Sequence, residues 1–431
     1  MKTAAHAAAA IEVLAEMASA RRPASDALKN WGTAHRFAGS RDRAGIASLV
    51  YDALRHRASI AWRMGDDSPR ALVLGALAFV RGKNAEYMAA AIADSPHAPE
   101  PLTEAEQHAF IHGTLDGAPE WVRGDYPEWL DSHFARVFGE ERGAELSAMA
   151  ERAPLDLRVN VLKADREQAL KALDHLGASE TPISPLGIRI NLLDDGRGPP
   201  VQSEPAFLKG LVEVQDEGSQ LAAMIAAAAP GEQVIDLCAG AGGKTLALSG
   251  GMNNRGQLFA YDRDIRRLAP LHERAERAGV RNLQVRSPRG QQDVMADLVG
   301  KADLVLVDAP CTGTGTWRRN PDAKWRLRPG SIEVRQNEQD AALADAARLV
   351  KPGGRLAYIT CSLLPEENDD RLASFRTTHP EFTTLPAQEA AITAGLPALA
   401  AYANADGSGL VLTPKRTGTD GFFVGLMRKA G

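Results

Sequence analysis

The sequence predicts a multidomain protein: an all-helical N-terminal domain, a small α/β connecting module and a C-terminal α/β domain built on a parallel, doubly wound sheet. The chain of 431 residues is longer than a single hydrophobic core usually supports. The spacing of its apolar residues also changes along the chain, from helical spacing to strand–helix alternation. We therefore predict a helical domain over residues 1–135, a helical linker with the small module over 136–225, and the parallel-sheet domain over 226–431.

The N-terminal residues are predicted to form helices with one apolar face. The stretches AAIEVLAEMASA, GIASLVYDALRHRASIAWRM and PRALVLGALAFVRG repeat apolar residues every three to four positions. Glu12 and Glu16 interrupt the apolar run that a signal peptide would need, and no window is apolar over the roughly 18 to 20 residues of a membrane span. We therefore expect a cytoplasmic protein with no membrane partner.

Charge is distributed unevenly along the chain, although the net charge is only −5. Residues 1–83 carry 13 Lys and Arg against 7 Asp and Glu, whereas residues 84–150 carry 3 against 13. This asymmetry is typical either of a basic face that binds a polyanion or of two solvated helical surfaces. Charge alone leaves both interpretations open.

Strands enter the pattern after residue 156. LRVNVLK alternates like a strand, REQALKALDHLG is spaced like a helix that ends at Gly177, and GIRINLL resembles a second strand. From residue 226, the apolar runs QVIDLCA, QLFAYDRD, ADLVLVDAPC and RLAYITCS alternate with helical segments up to a final strand, DGFFVGLMRK. Such alternation predicts a parallel sheet covered by helices, in which ligands bind at the carboxyl ends of the strands.

The first strand of this domain runs into a glycine-rich loop, VIDLCAGAGGKTLAL (234–248). A phosphate-binding P-loop would need glycine where the chain has Cys238. A dinucleotide-binding loop would need Gly or Ala where it has Thr245. The loop therefore predicts close approach of the backbone to a ligand that is not held by phosphates, and a P-loop ATPase is excluded.

Acidic and thiol side chains follow the neighbouring strands. Asp262 ends the second strand, 22 positions after Gly240, where a carboxylate can accept hydrogen bonds from a ribose diol. The third strand ends in Asp308 and leads to Cys311, and the fourth leads to Cys361. Because these strand ends meet at one edge of the sheet, the pattern predicts a nucleotide-like cofactor beside a thiol nucleophile.

The three cysteines are expected to differ in role. Cys238 lies at a strand–loop junction, a position typical of a packed core thiol. Cys311 and Cys361 each enter a turn after a strand and are predicted to face the cleft. Neither CxxC spacing nor a neighbouring histidine accompanies them, so we expect no metal, and a disulfide is disfavoured in the cytoplasm.

The segment WRRNPDAKWRLR (317–328) holds five Lys or Arg, one acid and two tryptophans. In one interpretation, the basic side chains neutralise phosphates while the indoles stack on unpaired bases. In the other, the segment is a solvated loop anchored by inward-facing tryptophans. The residues predicted to contact RNA are Trp317, Arg318, Arg319, Lys324, Trp325 and Arg326.

Three stretches closely resemble the RNA (cytosine-5)-methyltransferases of the RsmB/Nop/Sun type: DLCAGAGGKT, DAPCTGTGTWRRNPDAKWR and ITCSLLPEEND. The paired Pro-Cys and Thr-Cys motifs are the most specific of them. The N-terminus with SLVYDALRH is similar to the NusB-like RNA-binding domain of the RsmB branch, and APLDLRVNVLK with VQDEGSQLAA is similar to the connecting module of that branch. The resemblance implies an RRM-like connecting module and a Rossmann-like methyltransferase domain.

The resemblance also implies S-adenosyl-L-methionine as the methyl donor, which agrees with a loop that lacks phosphate fingerprints. The residues implied to bind it are Cys238, Ala239, Gly240, Ala241, Gly242, Gly243, Lys244, Asp262 and Asp308. The family usually has an acidic residue near the adenine after its third strand. Here VRSPRGQQDV offers Pro288 or Arg289, with Asp293 as the nearest acid, so the adenine contact stays unassigned.

In this family, the Thr-Cys cysteine attacks C6 of the cytosine and the Pro-Cys cysteine assists release of the adduct. The resemblance therefore implies Cys361 as the nucleophile, Cys311 in release and Asp308 at the N3/N4 edge of the base. Such covalent catalysis suits the reaction because C5 is too electron-poor to attack a methyl group unaided. The target base must be single-stranded or flipped out of its helix.

The expected function is methylation of C5 of a cytosine in RNA, with 16S rRNA implied by the NusB-like domain, by a monomeric enzyme. A tRNA cytosine-5 methyltransferase of the same family is one alternative. A non-catalytic RNA-binding ribosome-assembly factor is another, although a pure scaffold would need neither Cys311 nor Cys361.

Overall fold

The computed structural model describes residues 1–193, 196–290 and 292–431. The chain forms two compact units. One consists mainly of Met1–Arg152 and Trp317–Leu327, and the other mainly of Ala153–Leu193, Gly198–Thr316 and Arg328–Gly431. Residues 317–327 thus belong to the helical unit although they lie between two segments of the sheet-containing unit.

The first unit is helical, as its apolar spacing predicts. Its helices are α1 Thr3–Ala20, α2 Ala24–Ala34, α3 Ser40–Arg55, α4 Arg57–Met64, α5 Pro69–Gly75, α6 Ala85–Ala93, α7 Glu104–His112, α8 Glu120–Arg123, α9 Asp131–Phe138 and α10 Arg142–Ala148. A π-helical turn, Ala76–Val80, extends α5. Helix α7 begins with a capping box, in which Thr103 and Glu106 satisfy each other's backbone N–H groups. Among the described residues, no helix combines the length and the hydropathy needed to cross a membrane.

The second unit begins with a small antiparallel sheet. Its elements are β1 Leu155–Val159, α11 Arg166–Leu173, β2 Ser179–Glu180, β3 Gly187–Ile190, α12 Pro205–Leu208 and β4 Val212–Val214. Within the described residues the strand order is β2-β3-β1-β4, with every neighbouring pair antiparallel. Leu157, Val159, Ile188 and Ile190 project into an apolar core with Leu173 of α11. This order, with a helix after the first strand, is that of a ferredoxin-like module.

The remainder of this unit is built on a larger sheet. Its elements are α13 Glu217–Ile225, β5 Gln233–Asp236, α14 Gly243–Gly251, β6 Gln257–Tyr261, α15 Ile265–Ala278, β7 Leu283–Arg286, β8 Ala302–Asp308, α17 Pro329–Leu349, β9 Val350–Thr360, α18 Asp369–Thr378, β10 Phe382–Leu385, α19 Ala387–Thr393, β11 Leu410–Leu412, α20 Pro414–Thr417 and β12 Phe422–Lys429. Helix α16, Ala323–Arg326, lies in the segment that belongs to the helical unit.

The order of the described strands in the larger sheet is β10-β12-β9-β8-β5-β6-β7, with β11 paired to β12. Strands β5 to β9 are parallel, whereas β12 is antiparallel to β9. Leu304, Val305, Leu306 and Val307 on β8 are all buried, so both faces of the sheet are covered, as in doubly wound folds. The chain leaves β5 for β6 on one side and later returns to β8 on the other. Ligands bind at such a switch point.

Candidate active site

The glycine-rich loop leaves β5 after Asp236 and leads into α14. Gly240 and Gly242 both have left-handed backbone angles, with φ of 52° and 87°. A Cβ atom on Gly242 would also lie 2.1 Å from Cδ1 of Leu271, which is buried in the core. Residue 242 is therefore glycine both for its conformation and for its close packing against α15.

A cavity of about 280 Å³ opens beside this loop. Its lining residues come from the ends of β5 and β6, from the turn after β8 and from α17: Leu237, Cys238, Tyr261, Asp262, Arg263, Asp264, Arg267, Pro310, Arg335, Glu338, Ala342 and Asp345. Charged side chains of both signs make up much of the lining, beside apolar surface from Leu237, Pro310 and Ala342. It lies at the switch point of the sheet.

Asp262 lines the cavity, and its carboxylate is held by hydrogen bonds and an ion pair from neighbouring residues. One carboxylate oxygen accepts the backbone N–H of Gly240 at 3.0 Å, and the other accepts the N–H of Asp264 at 2.9 Å. Arg267 forms an ion pair with the carboxylate at 3.0 Å. These bonds hold Asp262 in a fixed orientation against the glycine loop, where the sequence places a ribose contact.

Cys238 lines the same cavity as a free thiol. Burial raises the pKa of this thiol, and the nearby carboxylates of Asp236 and Asp262 raise it further. A neutral thiol is a poor nucleophile. Cys238 therefore contributes surface to the cavity and is not placed as a reactive group.

Cys311 and Cys361 converge from neighbouring strands. The turn after β8 carries Cys311, and Cys361 follows β9, with which β8 pairs in parallel. Their Sγ atoms are 3.4 Å apart, within sulfur hydrogen-bond distance, and both are free thiols. The hydrogen bond with Cys361 and burial raise the pKa of the Cys311 thiol well above its usual range. Two sulfurs at this separation can reach one pyrimidine ring.

Lys244 and Asp308 form an ion pair between the start of α14 and the end of β8. Lys244 is buried at the start of α14, and its Nζ lies 2.7 Å from Oδ2 of Asp308, the last residue of β8. The ammonium group also lies 5.2 Å from the centre of the Phe422 ring. The family resemblance implies both residues as cofactor contacts, but their ion pair could not be predicted because they are 64 positions apart.

A second buried carboxyl lies under the glycine loop and was missed by sequence reasoning. Asp236 is 1% exposed, and its Oδ2 accepts the hydroxyl of Thr245 at 2.6 Å. Its Oδ1 has no hydrogen-bond partner among the described residues. Burial raises the pKa of this carboxyl to about 7, against the lowering effect of Thr245. The position of Asp236 at the end of β5 is the sequence feature that could have identified it as a site residue.

The segment after the thiol loop does not form the exposed RNA surface that its composition predicts. Trp317, Arg318 and Lys324 are only 2–4% exposed. The Trp317 ring packs edge-on against Phe134 of the helical unit, with centroids 5.9 Å apart. Base stacking by Trp317 and phosphate contact by Arg318 and Lys324 are therefore wrong for this structure, because these groups are enclosed by protein.

Backbone carbonyls of α3 hold the same segment. Lys324 Nζ donates to the carbonyl oxygen of Arg55 at 2.7 Å, and Trp325 Nε1 donates to that of Leu54 at 2.6 Å. Burial lowers the pKa of Lys324 to about 8. Trp325 is half-buried, whereas Arg319 and Arg326 are exposed. Arg319 and Arg326 are thus the exposed members of the predicted RNA contacts, and Arg326 Nε also forms an ion pair with Asp322 at 3.1 Å.

The residues considered for the adenine do not line the cavity. Asp293 forms an ion pair with Arg348 at 2.7 Å, on the surface. Neither Pro288 nor Arg289 is among the lining residues of the cavity, which α17 closes instead. Among the described residues, no group of three or more His, Cys, Asp or Glu is arranged to hold a metal ion.

A cavity at the switch point next to a glycine-rich loop, a carboxylate held in place on its wall and the lack of a phosphate-binding loop together fit a sulfonium nucleoside. The fold and site define an S-adenosylmethionine-dependent methyltransferase. The family model for 16S rRNA methyltransferase RsmB/F matches residues 223–428, and that for the RsmF/B-like ferredoxin-like domain matches residues 126–192. The chain belongs to the RsmB/F family of rRNA methyltransferases, as its motifs predict.

Relatives across most of the chain carry the same description. The probable ribosomal RNA small subunit methyltransferase B of Synechocystis sp. is 32% identical over 71% of this chain and 67% of its own length. That of Bacillus subtilis is 31% identical over 75% of this chain and 74% of its own. A crystal structure of PH0851 covers the full length of both chains with a TM-score of 0.73 and 26% identity.

Proposed function

We propose that this protein methylates C5 of a cytosine in 16S rRNA through a covalent adduct between Cys361 and C6 of the base. The observation that carries this proposal is the 3.4 Å separation of the Cys311 and Cys361 sulfurs beside the cavity that Pro310 helps to line. Packing alone would not require two thiols at neighbouring strand ends. A reaction that forms and then breaks a bond to one pyrimidine uses both.

The two thiols are suited to different tasks. The raised pKa of Cys311 keeps its proton on sulfur, so its S–H can donate to the sulfur of Cys361. The sulfur that accepts the hydrogen bond keeps its lone pairs directed away from its own proton and is the one placed to attack. This arrangement favours Cys361 as the nucleophile and Cys311 as its neighbour in the release step.

Attack forms a bond between Cys361 Sγ and C6, and the electrons of the C5–C6 double bond move into the ring. The Asp308 carboxylate accepts a hydrogen bond from the N4 amino group of the base. The Lys244 ammonium, 2.7 Å from Asp308, offsets the negative charge that develops on the pyrimidine. C5 thereby gains the electron density that methylation requires.

S-adenosylmethionine, which the glycine loop and Asp262 would hold, would supply an electrophilic methyl group and leave as S-adenosylhomocysteine. After transfer, C5 carries both the methyl group and its original proton. A base removes that proton, its bonding electrons re-form the C5–C6 double bond, and the C6–S bond breaks to return Cys361 as a thiolate. The Cys311 sulfur lies close enough to assist this release.

The substrate RNA is proposed on two grounds. The small subunit rRNA named for the relatives fits the family to which the chain belongs. We further propose that the helical domain is NusB-like and binds RNA, with the exposed Arg319 and Arg326 contributing phosphate contacts. The domain limits 1–135, 136–225 and 226–431, a monomeric state and a cytoplasmic location belong to the same proposal.

The test is methyl transfer to isolated RNAs. The protein is incubated with labelled S-adenosylmethionine and either 16S rRNA or tRNA, and the product is mapped by bisulfite sequencing. We expect one cytosine of 16S rRNA to become protected. Transfer to tRNA alone would favour the tRNA methyltransferase, and cofactor binding with transfer to neither RNA would favour a non-catalytic assembly factor.

A further inference from the structure

The turn that carries Cys311 is tied to a buried carboxyl, Glu367. The backbone N–H of Thr312 donates to Oε1 of Glu367 at 2.8 Å, and the Thr312 hydroxyl donates to its Oε2. Glu367 is fully buried in the turn Pro365–Glu367. The residue directly after the thiol therefore has both of its hydrogen-bond donors fixed by one carboxyl group.

A second tie reaches the residue before the thiol. Nε2 of Gln339, on α17, donates to Oε1 of Glu367 at 3.0 Å and to the carbonyl oxygen of Pro310 at 2.9 Å. Gln339 is also fully buried. Glu367 thus holds both peptide neighbours of Cys311, one directly and one through Gln339.

Glu367 is itself anchored to the strand that leads to Cys361. The hydroxyl of Tyr358, on β9, donates to the backbone carbonyl of Glu367 at 2.7 Å. A separate bond from the N–H of Gly315 to the carbonyl of Cys361, at 2.8 Å, joins the two turns directly. The turn that carries Cys311 is therefore joined to the strand that leads to Cys361 both through Glu367 and by a direct backbone bond.

Burying a carboxyl is costly, and nothing in the cavity requires Glu367, which is not among its lining residues. Burial raises the pKa of Glu367, and its hydrogen bonds from Ser362, Thr312 and Gln339 oppose that shift. The charge of Glu367 in turn raises the pKa of the Cys311 thiol. The carboxyl thus influences both the place and the protonation of that sulfur.

We propose that Glu367 is a positioning residue, which holds the Cys311 turn against Cys361 so that the covalent adduct is released. The proposal rests on the proposed function, since it assumes that Cys311 acts in release. Glu367 touches neither substrate nor cofactor in this role and acts only through Thr312, Gln339 and the thiol between them.

The experiment uses the full-length protein and measures adduct on a denaturing gel, kcat and KM for RNA, and cofactor affinity. Glu367→Ala removes the carboxyl that accepts hydrogen bonds from Thr312 and Gln339, and Thr312→Val removes only the bond from the Thr312 hydroxyl. Both should accumulate RNA-linked protein and lower kcat by about tenfold or more, with KM and cofactor affinity unchanged. Glu367→Gln retains an acceptor for both N–H donors and should remain close to wild type.

Thr316→Val is the matched control, because Thr316 lies in the same turn and donates to Gly313 rather than to Glu367. It should release RNA normally. In a Cys311→Ala background, Glu367→Ala should not slow release further, since the two changes remove one function. A merely structural Glu367 would lower cofactor affinity and stability without raising the adduct fraction.

The outcomes separate this proposal from the one on which it rests. If Cys311→Ala traps RNA but Glu367→Ala and Thr312→Val release it as fast as Thr316→Val, the positioning role is wrong and the proposed chemistry stands. If Cys311→Ala itself traps no RNA, the assignment of Cys311 is wrong and the positioning role falls with it. Should Glu367→Ala fail to fold, Thr312→Val decides.

Discussion

Residues 308–316 and 317–327 are adjacent in sequence but belong to different compact units. The first stretch carries Asp308 and Cys311, whose polar atoms pair with Lys244 and with the Cys361 thiol. In the second, Trp317 and Lys324 are enclosed by the helical unit. The first is therefore arranged for chemistry and the second for anchoring.

This difference teaches that composition does not separate a ligand contact from a structural contact. Both stretches are rich in polar or aromatic groups that could serve a substrate. Trp317 contacts Phe134, whereas the Cys311 thiol contacts a second thiol and only part of its surface is buried. Changes at Asp308 or Cys311 should remove activity and leave the fold, and a change at the buried Trp317 should do the reverse.

The largest effect is expected at the nucleophile. Cys361→Ala should lower methyl transfer by at least about a thousandfold, because it removes the sulfur to which the bond with C6 is assigned. Binding of S-adenosylmethionine, measured by titration calorimetry, should be unchanged. Residual activity near that of the wild type would place catalysis elsewhere and end the contrast between the two stretches.

The anchoring stretch should respond in stability. Trp317→Ala removes a large, 2% exposed side chain and should lower the free energy of unfolding by about 3–5 kcal/mol, measured by urea denaturation. Trp62→Ala is the matched control, since Trp62 lies in the same unit and is 43% exposed, and it should cost under about 1 kcal/mol. Equal costs for both would mean that Trp317 does not anchor the segment.

Stability should also depend on pH through Asp236. Its pKa is raised from 3.8 to about 7 in the folded protein, so between those values the unfolded chain releases a proton that the folded chain keeps. The wild type therefore loses stability as pH rises through that window, by up to about 1.4 kcal/mol per pH unit from this group.

Asp236→Asn removes this loss. The free energy of unfolding of the variant, relative to that of the wild type, should therefore increase as pH rises from about 4 to about 7 and stay constant above about pH 7. Urea denaturation across the window measures the difference. Asp174→Asn, at an exposed carboxyl of the same unit, is the control substitution. A constant difference for Asp236→Asn would show that the buried carboxyl is already ionised.

The smallest effects concern RNA affinity. Arg319→Ala and Arg326→Ala should each weaken RNA binding a few-fold and reduce its salt dependence by about one ion. Lys324→Met should change neither, because its ammonium group donates to a backbone carbonyl inside the helical unit. Binding curves at several salt concentrations distinguish the three variants. A reduced dependence of the binding constant on salt for Lys324→Met would show that Lys324 contacts RNA.

Much of the catalytic domain could be predicted because strands and glycines leave local signals. The alternation of strands and helices after residue 226 can be recognised from residues that are close in sequence. The same holds for the mismatch between the glycine-rich loop and the phosphate-binding motifs. The Pro-Cys and Thr-Cys motifs marked both thiols for the same reason. The resemblance they carry also identified the family, which the relatives confirm.

The supporting contacts could not be predicted, because they join distant positions. The bonds from Thr312 to Glu367 span 55 residues, and the bond from Lys324 to Arg55 spans 269. Composition indicates that such groups are polar, but not whether water, RNA or protein satisfies them. Burial shows that Trp317 is a packed residue and not a base-stacking one. A local sequence pattern does not reveal this burial, because Trp317 is covered by residues from a distant segment of the chain.

The most direct test of the central claim is Cys311→Ala with substrate RNA and S-adenosylmethionine. If the two sulfurs serve one base, the variant should form the bond between Cys361 and C6 and fail to break it. The protein should then migrate as a slow, RNase-sensitive band on a denaturing gel. A slow band with Cys361→Ala and none with Cys311→Ala would contradict the assignment.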